Sequence, residues 1–474
     1  MPSLFGTGHN TVDAFWLART PCFRVNSATQ HPNVRHGFPK RQKIVNRSFF
    51  PVKYLQSTSR RFFSTAAILT SLLLVSCNSP KEPGEKPAVA ADKTETANLG
   101  NDPAKNQRRA IVVDLHIDTT QRLVDEQVDL MQRLKDGEVD SIRAKEGGLG
   151  AEFFSIWVEP QLYGAGGPGA VRRADDQVAA VRALAAKHPE TWELATSAAE
   201  VRRIVAGGKL AALMGLEGGY AIDERLENVA RYYQLGVRYM SPTWAVSTSW
   251  AGSSGDEVGK ARGLNDFGKQ VVREMNRLGM MVDVSHVSDK TFWDIIATST
   301  KPVIATHSAC RALANVPRNL DDQMIRAVAR TGGVVGVIFY PEFLEPGWSE
   351  KRQQVDAAIA PLVQRAADEA KGNAAHKKLA RDRVRRQEYA RRLPPVNVSR
   401  LGDHIDHIVK LVGIDHVGIG SDFDGTQATL SDLASVADLP NLTRELLRRG
   451  YSESDVDKIM GGNVLRVMEE AGQR

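Results

Sequence analysis

Met280-Met281-Val282-Asp283-Val284-Ser285-His286 and, shortly after it, Val303-Ile304-Ala305-Thr306-His307-Ser308 are apolar, β-branched runs that each end in a histidine. Runs of this kind read as buried strands. Outward from this pair, similar runs fall at 111–115, 153–158, 210–216, 237–241, 334–339 and 417–420, beside the two at 280–284 and 303–306. Amphipathic helical patterns lie between most of them, for example at 175–187, 264–278 and 321–330. Eight strands alternating with helices predict an α/β fold, a (β/α)8 TIM-type barrel, more than an open sheet. No G-x-G-x-x-G opens a helix after the first strand, which weighs against a dinucleotide fold. Residues 349–393 are charged, Ala- and Arg-rich and helically spaced. They predict a helical insertion on the outside of the barrel, presenting a solvated face.

In a parallel barrel, functional side chains sit at the C-terminal ends of the strands. Here those ends carry metal-ligand types. The first run leads into Asp114-Leu115-His116-Ile117-Asp118, and a side-chain period of two puts His116 and Asp118 on one side. The run at 210–216 leads into Glu217-Gly218-Gly219, a carboxylate that is costly to bury unless paired or metal-bound. His286 and His307 end their own strands, and Asp422 follows the last in Gly420-Ser421-Asp422-Phe423-Asp424-Gly425. One such histidine is more often a satisfied core residue than a ligand. Two on adjacent strands, with His-x-Asp and a glutamate on earlier ones, reverse that balance. Imidazole and carboxylate donors suit zinc, and the set suits two divalent ions sharing a carboxylate.

Six motifs in this order resemble those of the membrane (renal-type) dipeptidase family of metal-dependent hydrolases. They are His116-x-Asp118, Gly215-Leu216-Glu217-Gly218-Gly219, Val282-Asp283-Val284-Ser285-His286, Thr306-His307-Ser308, Pro317-Arg318-Asn319 and Gly420-Ser421-Asp422-Phe423-Asp424-Gly425. The resemblance runs from about residue 111 to the C-terminus. It implies two Zn2+ per chain, one held by His116 and Asp118, the other by His286 and His307, with Glu217 bridging both. It implies hydrolysis of dipeptides by a metal-bridging hydroxide, with Asp422 carrying a proton to the leaving amine. Arg318 would clamp the substrate's terminal carboxylate, and Tyr340 would contact substrate. One position departs from the pattern: where animal members carry a substrate-binding histidine after the fourth strand, Tyr239-Met240-Ser241-Pro242-Thr243-Trp244 places Trp244. An indole N–H is only a donor, so substrate range is the property this change touches.

Length and charge bound the rest. The 474 residues, 42% hydrophobic and 25% charged, are ordinary globular composition. The formal charge is +6, but the segment up to Arg61 holds ten Lys or Arg against Asp13 alone. That segment is +9, so the remainder is −3 and nucleic acid is not an expected partner. Three cysteines, Cys22, Cys77 and Cys310, are too few for a disulfide framework, and Cys310 reads as a packed small side chain.

Arg60-Arg61, the apolar run from Phe62 to Val75 and Leu74-Val75-Ser76-Cys77 read as a secretory signal, 60–77, ending in a bacterial lipobox whose Cys77 is lipidated. Asn78 after the cysteine points to the outer membrane, facing the periplasm. Residues 1–59 read as a non-native or disordered extension, residues 78–106 as a flexible linker, and residues 107–474 as the barrel. A homodimer is a further expectation. Two rival functions stand beside the dipeptidase: a binuclear amidohydrolase acting on another amide, lactam or ester, and a non-catalytic envelope lipoprotein with a degenerate barrel.

Overall fold

The computed structural model describes residues 111–473, so the extension, the signal with Cys77 and the linker lie outside the described residues. Strand β1 is Val112–Ile117, β2 Leu149–Trp157, β3 Trp192–Leu194, β4 Leu210–Glu217, β5 Val237–Met240, β6 Met281–Asp283, β7 Val303–Ser308, β8 Val335–Val337 and β9 Val417–Ile419. All eight expected strands are present, and β3 is additional. The sheet runs β2-β1-β9-β8-β7-β6-β5-β4-β3, and every pairing in it is parallel. Closure comes from β2 on β4, in register from Ala151 against Ala211 to Trp157 against Glu217. Strand β3 pairs only with the first residues of β4, Leu210 to Ala212, and stands outside the closed ring. Its Trp-Glu-Leu is too short for a periodic signal.

The strands read as near-continuous apolar runs because both faces are covered. One buried cluster joins Val113, Phe153, Leu213 and Ile304 to Val201 and Ile204 of helix Ala198–Ala206 and to Val464 and Met468 of helix Asn463–Gly472. It packs the barrel where the strands begin. Helices Gly167–Lys187, Asp266–Leu278 and Asp322–Arg330 match the three named in the sequence. Two are capped at their starts: Asn265 accepts from Gly268 N–H and Asp321 from Met324 N–H.

The insertion differs from its expected place. It forms helices Trp348–Glu369 and Ala374–Arg392. Rather than lying outside, it reaches the mouth of the barrel: Arg352, Lys378, Asp382 and Arg386 line the same cavity as Asp118, Glu217 and Asp422. The charges expected to face solvent are what hold it there. Arg383 pairs with Glu126 and lies 3.2 Å from Asp136, both after β1. Arg386 donates to the carbonyls of Asp424 at 3.2 Å and Thr426 at 3.3 Å, after β9.

Candidate metal centre

The other four side chains expected as ligands gather around Glu217, the last residue of β4. Its two oxygens face different groups. Oε2 lies 3.3 Å from Nε2 of His116, which is itself 3.8 Å from Oδ2 of Asp118. Oε1 lies 2.9 Å from Nε2 of His286 and 3.5 Å from Nε2 of His307. Asp422 joins from the loop after β9: ligand atoms of His116, Asp118 and Asp422 all fall within 4.8 Å of one another, as do those of His116, Glu217 and His307.

The backbone is bent to bring these groups together. His286 and Asp422 sit at φ 69° and 61°, the left-handed region that non-glycine residues rarely adopt. The His286 carbonyl is tied down by Ser254 N–H at 2.8 Å and Ser253 Oγ at 3.2 Å. Gly425 leaves room for two carboxylates: a Cβ there would fall 2.2 Å from Asp118 Oδ2 and 2.4 Å from Asp422 Oδ1.

His116, Glu217 and His307 are also held by groups outside the ligand set. His116 Nδ1 meets Tyr239 Oη at 2.8 Å, and Ser155 Oγ donates to Glu217 Oε2 at 3.0 Å. His307 Nδ1 meets Thr306 Oγ1 at 2.8 Å, and that hydroxyl donates to Asp283 Oδ2 at 2.7 Å. With Nδ1 engaged in this way, Nε2 of each ring is aimed at the centre.

Electrostatics separate the ligands by role in the metal-free protein. Burial pushes His286 down to about 4, with Arg318 adding to the effect, so its ring is neutral. Burial likewise holds His307 well below the usual histidine range, with His116 and Arg318 adding. Burial would raise Glu217, but the three histidines around it outweigh that and keep it ionised. Asp422 is driven well above the usual carboxylate range by burial and then by the Asp118 charge, so it keeps a proton.

The residues present fit a cation. Nε2 of His116 and Oδ1 of Asp118 are buried without a hydrogen-bond partner. Orphaned buried polar atoms cost about 1–3 kcal/mol each, and a metal between them removes that cost. The neutral imidazoles of His286 and His307 beside carboxylates are donors for a divalent transition metal.

The profile of the membrane dipeptidase family, peptidase family M19, matches residues 104–474. The chain belongs to the membrane dipeptidase family. Dipeptidase 3 of Rattus norvegicus is 32% identical over 335 residues, 70% of this chain and 58% of that protein. The chain thus spans 58% of the length of that curated relative. Among solved structures, the probable dipeptidase PvdM from Pseudomonas aeruginosa superposes with a TM-score of 0.67 at 27% identity, covering 78% of this chain and 97% of that one. A metallo peptidase from Rhodobacter sphaeroides, liganded with a phosphinate mimic of the dipeptide L-Ala-D-Ala, superposes with a TM-score of 0.61 at 27% identity, covering 76% and 99%.

The family is one of metallopeptidases, and the cluster around Glu217 offers the candidate metal-binding residues. Above it opens a cavity of about 380 Å³, at the small end of the roughly 300–1,000 Å³ common for small-molecule sites. Trp244 lines it, edge-on to Trp157 with ring centroids 4.9 Å apart. Arg318 is not among the residues that line the cavity and is 9% exposed. Its Nη1 donates to Ser308 Oγ and its Nη2 to the His307 carbonyl, both at 2.8 Å, while Nε has no partner. The structure does not bring Tyr340 to the cavity wall: its ring packs on Phe343 and Trp348 at 5.2 and 5.7 Å.

Three residues of the site carried no motif of their own. Tyr239 and Ser155 look like ordinary strand residues, and only the closed barrel brings them to His116 and Glu217. Glu159 is different. It follows the apolar run 153–158 as Glu217 follows 210–216, so the same strand-end signal marks it.

Proposed function

We propose that this chain hydrolyses dipeptides at two zinc ions held by His116, Asp118, Glu217, His286 and His307. The observation that carries this reading is the division of Glu217, one oxygen toward His116 and the other toward His286 and His307. A carboxylate so placed can touch two ions and offset their mutual repulsion. When bound, such a pair lowers the pKa of a water to near neutral and polarises a carbonyl.

The chain's own residues supply the rest. Asp422, which lines the cavity beside Asp118 and Glu217, is placed to give a proton to the leaving amine. Arg318 keeps one guanidinium N–H unpartnered, which suits a substrate's terminal carboxylate. The Arg318 charge also keeps His286 and His307 neutral. Trp157, Trp244 and the inserted helices wall the cavity and restrict it to short peptides. The phosphinate mimic bound by the Rhodobacter sphaeroides peptidase makes L-Ala-D-Ala the first dipeptide to try.

The test is zinc analysis of the purified protein, then a panel of dipeptides, dipeptide amides, lactams and esters before and after chelation. Zinc-dependent turnover of dipeptides in preference to the others supports the reading. Preference for a lactam or ester would favour the wider amidohydrolase chemistry, and a protein free of bound zinc would favour a non-catalytic lipoprotein with a degenerate barrel.

We further propose that Cys77 is lipidated and that the protein resides in the bacterial envelope, on the strength of Leu74-Val75-Ser76-Cys77 after an apolar run. Replacing Cys77 by Ala should abolish lipid labelling; an unchanged label would overturn the assignment.

A further inference from the structure

Resting on the dipeptidase reading, we propose that Glu159 forms a subsite for a primary ammonium on the substrate's N-terminal residue. Glu159 lies two residues past Trp157, whose backbone pairs with Glu217. It lines the same cavity as Asp118, Glu217, His286 and Asp422. It is 8% exposed, and among the described residues no cation forms an ion pair with it.

Several other charges of that wall are paired. Lys378 lies 2.6 Å from Asp382, which also takes Arg385 at 3.1 Å. Arg352 lies 2.7 Å from Asp356 and 2.9 Å from Glu342. Across these groups three cations meet three carboxylates, and Glu159 adds a further carboxylate that feels Lys378 without forming an ion pair with it. Its neighbours suit an ammonium. Trp157 already carries the Lys378 Nζ 5.5 Å from its ring centroid, and Trp244 stands edge-on beside it.

A purely structural role is poorly supported. Glu159 precedes the short helix Pro160–Tyr163, where its carboxylate is near enough to feel the Gln161 N–H, but Glu is not a favoured cap. Arg318 lies against His307, whereas Glu159 lies in the cavity wall beside Trp157 and Lys378. A dipeptide whose carboxylate meets Arg318 would then turn its ammonium end toward the cavity wall that holds Glu159. The ammonium has two sources, the α-amine or the side chain of a basic first residue.

The experiment compares kcat/KM for Ala-Ala, N-acetyl-Ala-Ala, Lys-Ala and norleucyl-Ala on zinc-loaded wild type, Glu159→Gln and Glu159→Asp. An α-amine subsite predicts that Glu159→Gln loses about ten- to a hundredfold on every free-amine substrate and little on the acetylated one. A side-chain subsite predicts that only the Lys-Ala advantage over norleucyl-Ala disappears. In either case zinc content stays constant and Glu159→Asp recovers part of the loss. An equal proportional loss on all four substrates would make Glu159 a latch for the inserted helices and overturn the subsite, as would no change. Turnover of no dipeptide by wild type would bring down the dipeptidase reading and the subsite with it.

Discussion

The Tyr239 hydroxyl lies 2.8 Å from Nδ1 of His116, and the bare backbone of Gly215 is what admits its ring. A Cβ at Gly215 would sit 1.9 Å from the Tyr239 ring. In the tautomer that binds metal through Nε2, His116 donates Nδ1–H to the tyrosine oxygen, which fixes the ring's orientation.

Removing that contact should weaken metal binding while leaving the barrel folded. Tyr239→Phe is expected to lower zinc affinity about ten- to a hundredfold, measured by titration against a competing chelator, with near-normal turnover at saturating zinc. Unchanged affinity would show that packing alone orients His116.

Glu217→Gln should be the most damaging change at the centre. It removes a charge that faces His116 on one side and His286 and His307 on the other. The expected result is loss of at least one zinc and of nearly all dipeptide hydrolysis. A variant that holds two zincs at near-normal turnover would rule out the shared carboxylate.

Arg318 tests the carboxylate end of the substrate. A dipeptide should outperform its amide on wild type. Arg318→Ala should erase most of that preference, a loss of about 1.5–3 kcal/mol or roughly ten- to a hundredfold in kcat/KM. Arg318→Lys should recover part of it, since a point charge cannot reproduce the fork. Equal values for dipeptide and amide on wild type would remove Arg318 from substrate binding.

His404 gives a pH dependence of stability away from the centre. Its Nδ1 accepts Cys310 N–H at 3.1 Å and its Nε2 lies 3.0 Å from the Leu344 carbonyl, a pairing only the neutral ring can make. Burial pushes its pKa down to about 4, against roughly 6.5 in the unfolded chain. Above about pH 6.5 the ring is neutral in both states and its contribution is whole. As pH falls from there toward 4, the unfolded chain takes up a proton that the folded one refuses, and stability is lost, on the order of 3 kcal/mol at most. Melting temperatures across pH 4–8 should fall less steeply for His404→Gln than for wild type. Parallel curves would show that His404 does not titrate in this window.

The sequence by itself determined the eight strands of the barrel and the residues at their ends. Buried parallel strands need continuous apolar runs, and a charged or ligand-type residue closing such a run stands out against them. Thus His116, Asp118, Glu217, His286, His307 and Asp422 were all legible as a set. The tertiary structure alone decided what surrounds them. Tyr239 and Ser155 reach their partners only because β2, β4 and β5 are neighbours in the closed sheet, a relation between residues far apart in the chain that no local period encodes. The left-handed turns at His286 and Asp422 are set by hydrogen bonds from distant segments, such as Ser254 to His286 and Asp422 N–H to the His116 carbonyl. The inserted helices show the same limit most plainly. Their charge and spacing predicted helices correctly, but a charged face looks alike whether water or a carboxylate lies opposite. Only the fold set Glu126, Asp136 and the Asp424 carbonyl opposite Arg383 and Arg386, which turned an expected solvent face into the wall of the site.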